Sequence, residues 1–444
     1  MTQAIIISPQ PCDVGAARVS PFSTGNAYPV TSEATDARPA GWQSWYTVVL
    51  LCSAAVFIAY IDRTNISVAS IAMKEQFGWT ETTKGYVLSS FFVGYLLLQI
   101  VSGALSNKYG GRIVLGVAVV WWSIFTVLTP PAALLSFPAL IAARIALGLG
   151  EAAVFPASVN MIERWVPAER RSRAVATCVS GLSLGTVVSL PLTGALVRSH
   201  GWPSPFYVFG AVGLVWAVIW FSSIRPGRSP HVPHDAVAAR APIPWSRILS
   251  SAPVWAIFAC HFANNWTLYL MLAWLPSYFK STFGLSLTNA GLLSAAPWLV
   301  TFVMANVSGI LADNMLSAGR SATFVRKLLQ VGGSAGCALS LLILPHVGTA
   351  MTGVLVMCFA SGMLGICQAG FPANGFDIAP RYADVIWSVS NTFATIPGIV
   401  GVAITGWLVD RTGNYNTPFV VAASIGVASA AIYLAFGSGR REID

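Results

Sequence analysis

From residue 43 to residue 437 the chain alternates long apolar runs with short polar connections. Twelve runs can be marked, at 43–67, 84–105, 113–131, 138–162, 174–196, 205–224, 253–278, 288–312, 328–344, 349–372, 385–409 and 417–437. At ~1.5 Å per helical residue, each is long enough, or nearly so, to cross the ~30 Å hydrocarbon core of a bilayer. Lipid offers no water to bond the backbone, so a helix is the form such runs take. The pattern predicts an all-α integral membrane protein with twelve transmembrane helices.

The polar breaks group the runs six and six. The longest internal connection, 225–252, holds five prolines and four arginines and reads as a linker between two bundles. The expected organisation is an N-terminal tail over 1–42, a six-helix bundle over 43–224, the linker, a second six-helix bundle over 253–437, and a C-terminal tail over 438–444. An internal repeat supports the division. Gly103-Ala104-Leu105-Ser106-Asn107-Lys108 follows the second run, and Gly309-Ile310-Leu311-Ala312-Asp313-Asn314 follows the eighth, at equivalent places in each half. A duplicated six-span unit with parallel halves is the signature of secondary transporters that rock two bundles around a midplane site.

An even number of crossings puts both termini on one side. Of the 25 Lys and Arg, all but seven fall in the tails and the even-numbered loops. Lys74, Lys84, Arg198, Lys280 and Arg411 lie in the other loops, and Arg63 and Arg144 lie at membrane depth. The excess of positive charge therefore places the termini in the cytoplasm.

Composition agrees with the pattern: 55% of residues are hydrophobic, 9% are charged, and the mean hydropathy is +0.68. Soluble domains carry about 25% charged residues, so a soluble enzyme or binding module is excluded. The net charge of +9 reports topology rather than a nucleic-acid partner, because the basic residues sit in short loops. The seven cysteines form no CxxC pair and read as small buried hydrophobes, not as disulfides or a metal site. His231 and His234 in the linker lack companion ligands. No cofactor is called for. The tail over 1–42 is polar, with no basic residue in its first ten and with Asp13, Glu33 and Asp36 following, so it reads as disordered rather than as a signal or transit peptide.

The chemistry gathers at the fourth run. Arg144 and Glu151 stand seven residues apart, about two helical turns, and so share a face. A charge at mid-bilayer costs about 2.5–3.5 kcal/mol on insertion scales, so this face borders a polar cavity or a partner. A guanidinium stays charged and offers a planar fork to carboxylate or phosphate oxygens, which makes Arg63 and Arg144 the candidate substrate ligands. The structural alternative pairs Arg63 with Asp62, or Arg144 with Glu151, as buried ion pairs. Arg63 and Asp62 are read as lying near the end of their span. Glu151 is the first candidate for a proton site and Asp62 the second. Burial favours the protonated carboxyl and a neighbouring arginine the ionised one, so an anion on that arginine draws a proton in.

In the seventh run His261, Asn264, Asn265, Trp266 and Tyr269 make a polar patch. Asn265 and Tyr269 share a face and suit a polyhydroxy anion, with helix-to-helix bonding as the plain alternative. Asn391 is the candidate from the eleventh run. Asp377 and Arg381 read as gate or topology charges, and the tryptophans near span ends, such as Trp42, Trp45, Trp202 and Trp245, as interface anchors.

These residues resemble the major facilitator superfamily, whose loop motif GxLADxxGxR is similar to Gly103 through Arg112. More narrowly they resemble its anion:cation symporter family, which holds vesicular glutamate carriers, sialin, phosphate carriers and bacterial sugar-acid carriers. The matching stretches are Asp62-Arg63-Thr64-Asn65-Ile66-Ser67-Val68-Ala69, Arg144 through Ala157, Trp165-Val166-Pro167-Ala168-Glu169-Arg170, Asn265-Trp266-Thr267, and Asp377-Ile378-Ala379-Pro380-Arg381-Tyr382 with Ser390-Asn391-Thr392. The resemblance implies that Arg63 and Arg144 bind the anion, that Asp62 and Glu151 couple protons, and that Arg112 and Asp313 serve as gating charges. Asn107 departs from the motif, which has aspartate there; Leu88 and Asn264 stand where the glutamate carriers have histidine and arginine. These departures argue against a glutamate-like dicarboxylate.

The expected function is proton-coupled symport of an organic anion, a sugar acid or other carboxylate, by a monomer in a bacterial inner membrane. The alternatives are an inorganic phosphate carrier coupled to protons or sodium, an organic-anion exporter, and an anion channel. An enzyme finds no support, with no nucleophile pair, no phosphate-cradling glycine loop and no metal cluster.

Overall fold

The structure, a computed structural model, describes residues 45–224 and 243–443. Among them there is no strand. In the first half α1 spans Trp45–Phe77, α2 Glu81–Tyr109, α3 Gly111–Leu135, α4 Phe137–Glu151, α5 Val154–Trp165, α6 Arg171–His200 and α7 Ser204–Ser223. A short α8, Trp245–Ser250, lies in the last part of the expected linker, whose residues 225–242 fall outside those described, as does the tail over 1–42. In the second half α9 spans Ala252–Phe283, α10 Leu287–Ser317, α11 Ala322–Ile343, α12 Ala350–Cys367, α13 Phe371–Ile378, α14 Ala383–Thr412 and α15 Asn416–Phe436. Beyond α15 the chain returns to its own bundle: the N–H groups of Glu442 and Ile443 donate to the Ile378 carbonyl at 2.9 and 3.2 Å, and Ile443 is buried.

Eleven helical stretches are long and apolar enough to cross a membrane. The twelfth crossing is α9, whose apolar course His261, Asn264 and Asn265 interrupt. Two of the crossings are broken. The fourth consists of α4 and α5, and the tenth of α12 and α13. Each break precedes a Phe-Pro-Ala step, Phe155-Pro156-Ala157 and Phe371-Pro372-Ala373. Proline has no N–H to give the carbonyl four residues back, and its ring crowds that carbonyl. For Pro156 this is Ala152, whose freed oxygen accepts the Ser102 hydroxyl from α2 at 3.2 Å. At the second break Arg326 Nη1 donates to the Ala369 carbonyl at 3.0 Å. A neighbouring helix thus supplies the bond that the broken span lacks.

One expectation needs correction. The helix that begins with the first apolar run continues past residue 67 to Phe77, and every residue from 58 to 71 is buried. Asp62 and Arg63 therefore sit in the middle of a span, not near its end. Polar side chains interrupt the apolar run, but they point into the bundle, so the helix has no reason to stop.

In the first half α1 packs along α6 and α7, α2 along α4, and α3 along α4 and α7; the second half repeats this with α9 against α14 and α15, α10 against α12, and α11 against α12 and α15. The halves meet where α2 faces α14, α6 faces α10 and α1 faces α9, so equivalent helices exchange partners. Among the described residues, the polar bonds joining the halves gather at the end away from the tails. Asp410 of α14 accepts the N–H groups of Glu81 and Thr82 at 3.0 and 2.7 Å, capping the N-terminus of α2 across the interface. Lys280 pairs with Glu75, and Thr288 donates to the Gly194 carbonyl at 3.4 Å. One further bond, Thr395 to Gln99 at 3.1 Å, lies nearer the middle.

Glycines set how closely α2 and α4 approach. A Cβ at Gly148 would strike the Phe91 carbonyl oxygen, and one at Gly94 the Ile145 carbonyl oxygen. Backbone against backbone cannot yield as a side-chain tip can. Gly148→Val should therefore cost about 3 kcal/mol or more, seen as a lower midpoint of thermal unfolding in detergent. Gly103→Ala, which meets nothing within 4 Å, should leave the midpoint unchanged.

Candidate functional site

Four charged side chains meet inside the first half, all essentially removed from solvent: Asp62 at 0% exposure, Arg63 at 5%, Arg144 at 1% and Glu151 at 0%. The first two come from the middle of α1, and the others from the start and end of the Arg144–Glu151 face of α4. Arg63 Nε and Nη2 donate to Glu151 Oε2 at 3.1 and 3.0 Å, a buried charge-assisted pair between α1 and α4. Neither pairing considered from the sequence is the one formed. Neighbours on a helix project about 100° apart, which turns Asp62 away from Arg63, and Glu151 ends α4 facing α1.

The guanidinium of Arg63 is also ringed by aromatic groups. Its central carbon lies 4.7 Å from the Tyr60 ring, 4.8 Å from Phe91 and 4.7 Å from Tyr95, and Nη1 donates to the Tyr60 hydroxyl at 3.3 Å. Ring faces carry the negative end of the aromatic quadrupole, so the cage steadies the cation without neutralising it. The sequence reading missed these three rings. Tyr60 three residues before Arg63, and Phe91 and Tyr95 four apart on α2, are face-sharing spacings that mark them.

Arg144 is the contrasting group. Its Nε and Nη1 close no hydrogen bond with another residue, and neither does Glu151 Oε1. Both arginines line one cavity at the junction of the halves, with Ser67, Leu88, Phe91 and Phe92 on the first-half side and Leu272 and Ala273 of α9 on the other. A buried guanidinium with free donors, open to a cavity, is arranged to receive an anion. Asp62 faces α3, near Trp122 and Thr126, and both of its oxygens likewise close no hydrogen bond, as is true of Trp122 Nε1, Ser123 Oγ and the Asn65 amide. The two arginines and two acids sum to no net charge, so the cluster can take up an anion and a proton together and remain neutral.

The other predicted residues separate. Tyr269 reaches the junction and packs on Phe92, ring centres 4.4 Å apart. Asn265 Nδ2 donates to the Ala394 carbonyl at 2.9 Å and to the Tyr269 hydroxyl at 3.4 Å, so it ties α9 to α14 and steadies Tyr269. Asn264 and Thr267 turn away into a second cavity inside the second half, with Ser334 and Cys337. His261 is a satisfied buried histidine, its Nδ1 2.8 Å from Ser390 Oγ and its ring stacked on Trp387. Asn391 is half-buried on α14, outside the lining of the arginine cavity. Arg112 holds the end of α7, donating to the Ile224 and Phe221 carbonyls, as basic groups do at helix C-termini. Asp313 is exposed in the other half, and no contact joins it to Arg112. Asp377 pairs with Arg326 at 2.8 Å, tying the tenth crossing's broken helix to α11.

Lys84, counted by its charge among the loop residues, is buried within α2 at 1% exposure. Thr80, whose hydroxyl accepts the Thr83 N–H, caps α2 one turn earlier, and that N-cap pattern is the signal that places Lys84 inside the helix.

Comparison with known proteins accords with this geometry. Residues 52–402 match the family model described as Major Facilitator Superfamily. A relative named "Ascorbate transporter, chloroplastic" from Arabidopsis thaliana is 38% identical over 443 residues, 96% of this chain and 82% of that protein. "Sodium-dependent phosphate transport protein 1, chloroplastic" from the same plant is 38% identical over 411 residues, 90% of this chain and 80% of the relative. Human sialin is 33% identical over 451 residues, 91% of each. Among solved structures, a bacterial homolog of the human lysosomal transporter Spinster, inward-facing and occupied, superposes with a TM-score of 0.75 at 18% identity, over 88% of this chain and 96% of that one.

The ion pair makes a measurable cycle. Arg63→Met should destabilise the protein by about 3–5 kcal/mol, because it strands a buried carboxylate. Adding Glu151→Met should restore most of that loss, since the double variant removes the carboxylate that the first substitution stranded. Thermal unfolding of the three variants and the parent measures the coupling; additive losses would mean that the pair is not formed.

Proposed function

The chain belongs to the Major Facilitator Superfamily, on the branch of sialin and the chloroplast anion and phosphate transporters, and on that premise we propose that it is a proton-coupled symporter of an organic carboxylate. It is a membrane transporter, not an enzyme, as its named relatives are. The observation that carries the proposal is the pair Arg63–Glu151 beside an Arg144 whose donors are free, in one cavity between two helical bundles.

The arrangement suggests an order of events. The anion first meets Arg144, the cation with free donors. To engage Arg63 as well it must displace Glu151, which gives up the cation it is hydrogen-bonded to while fully buried. A carboxylate so stranded is relieved by a proton, and Oε1, which closes no other bond, has room for it. Protonated Glu151 releases Arg63 to the anion. The loaded site carries two guanidinium charges, one anion and Asp62, so its charge is balanced and the halves can rock about it. Asp62, fully buried without a cation in contact, is the second proton position. Asn265 holds Tyr269 against Phe92 beside the cavity, from where its hydroxyl would meet a polyhydroxy substrate.

Inorganic phosphate is the second reading, supported by the equal identity to the phosphate and ascorbate transporters. The neutral wall at Tyr269 favours the singly charged carboxylate over the more highly charged phosphate. We propose a monomer in a bacterial inner membrane; the distribution of Lys and Arg supports cytoplasmic termini. The end of the interface that holds Asp410 then faces outward. Residues 43–224 and 253–437 are the two moving bundles, and 225–252 is their linker.

Proteoliposomes with an inward proton gradient test the proposal, with gluconate, ascorbate, sialic acid and phosphate offered in turn. We expect one organic acid to accumulate. Glu151→Gln, unable to change charge, should still exchange the anion across the membrane but should not concentrate it. Arg144→Lys, which loses the planar fork, should lower uptake about tenfold or more. Accumulation by the Glu151→Gln variant, or a requirement for sodium in place of protons, would remove the proton assignment.

A further inference from the structure

Lys84 takes no part in the site just described, yet its ammonium is buried where the two bundles meet. Nζ donates to Ser277 Oγ at 3.0 Å and lies 4.5 Å from the centre of the Trp274 ring, both on α9 of the opposite half. Its charged partner is Glu81, one turn back on its own helix. That carboxylate is divided, because its other oxygen accepts Lys74 Nζ at 2.7 Å. One acid thus serves two ammonium groups. Nearby, Asp410 holds the N-terminus of α2, and Lys280 pairs with Glu75; both Asp410 and Lys280 belong to the opposite half.

Two features set Lys84 apart from a simple clamp. Its partners across the interface are uncharged, a ring face and a hydroxyl, and both move away with α9 if the halves part at this end. What remains is an ammonium with half a carboxylate, turned toward water. The second feature is register. Lys84, Leu88 and Phe91 stand at the i, i+4 and i+7 positions of α2, one face of the helix, and Leu88 and Phe91 line the arginine cavity. Lys84 lies seven residues, or about 10 Å at ~1.5 Å each, outward of Phe91 along that wall. Burying a lysine is unfavourable, and closing this end needs no cation at the spot, since Asp410 and Lys280 already bridge the halves.

We propose that Lys84 is an outer anion-docking residue, covered by Trp274 and Ser277 when the bundles close at the outer end and uncovered when they open. It rests on the transport reading above and adds to it a station on the outer path. The ligand is the carboxylate or phosphate group of the arriving anion. On closure Trp274 and Ser277 reclaim the ammonium, and the anion is passed inward along α2 to Arg144.

The test is anion exchange in oriented proteoliposomes, with KM measured separately for the anion outside and inside. Lys84→Gln should raise the outer KM about tenfold, equivalent to ~1.4 kcal/mol, and leave the inner KM unchanged. Lys84→Arg should restore the outer KM. A residue that only stabilises the fold would change both KM values or neither, and either result overturns the inference while leaving the transport reading intact. Should Lys84→Gln not fold, the unaltered protein still decides. A membrane-impermeant amine reagent added outside during exchange should modify Lys84, with the more exposed Lys74 as reference, and saturating outer ascorbate or phosphate should protect Lys84 alone. No modification, or none that the anion prevents, overturns the inference. Absence of any exchange by the unaltered protein removes the transport reading and this inference with it.

Discussion

Two guanidinium groups and two carboxyls, sealed inside a protein that lipid surrounds, set the terms for the rest of the molecule. None of the four is solvated, so each must be answered by another charge, a ring or a ligand. Arg63 is answered by Glu151 and by the three rings around it. Arg144 is answered only in part, its Nε and Nη1 closing no hydrogen bond beside the cavity that both arginines line. A buried pair repays its desolvation poorly as a structural device. It makes better sense as a resting arrangement that a second anion can exchange with, because the same guanidinium serves either carboxylate.

The scaffold is shaped to hold that cluster. α4 ends at Glu151 because Pro156 removes the bond that would have continued it, which fixes Glu151 at a helix terminus facing α1. Gly94 and Gly148 let α2 and α4 touch backbone to backbone, bringing Phe91 and Tyr95 within reach of Arg63. The break recurs in the second half at Pro372, but there Arg326 and Asp377 brace it near the tail end and no acid faces the cavity. The break is thus present in both halves while the buried acid–arginine cluster lies in the first. The second half contributes a neutral wall of Leu272 and Ala273, with Tyr269 packed on Phe92 beside it.

The interface between the halves is likewise uneven. Its polar bonds gather at the end away from the tails, where a carboxylate of one half caps a helix of the other. Such bonds are individually modest and exposed to water once broken. They can hold one end closed without locking it, as the alternating access proposed for this chain requires.

Much of this was legible along the chain. Run length and apolarity mark the crossings, eleven of them clearly and α9 despite its polar patch, because a bilayer of fixed thickness calls for apolar helices of that length. Residue types alone nominate Arg63, Arg144, Glu151 and Asp62, because charges at membrane depth are too unfavourable to be incidental. The sequence could not say which of them pair. Spacing reports only neighbours on one helix, and the pair that forms joins α1 to α4 across 88 positions of sequence. For the same reason Asn264 and Asn265, adjacent in the chain, proved to turn different ways, one into a cavity of the second half and the other onto α14, and Lys84, placed by its charge in a loop, proved to be a buried cation at the interface. Composition and periodicity determine that a helix crosses the membrane and which residues are out of place there. Only packing decides what each of those residues faces, since that depends on helices brought together from opposite ends of the chain.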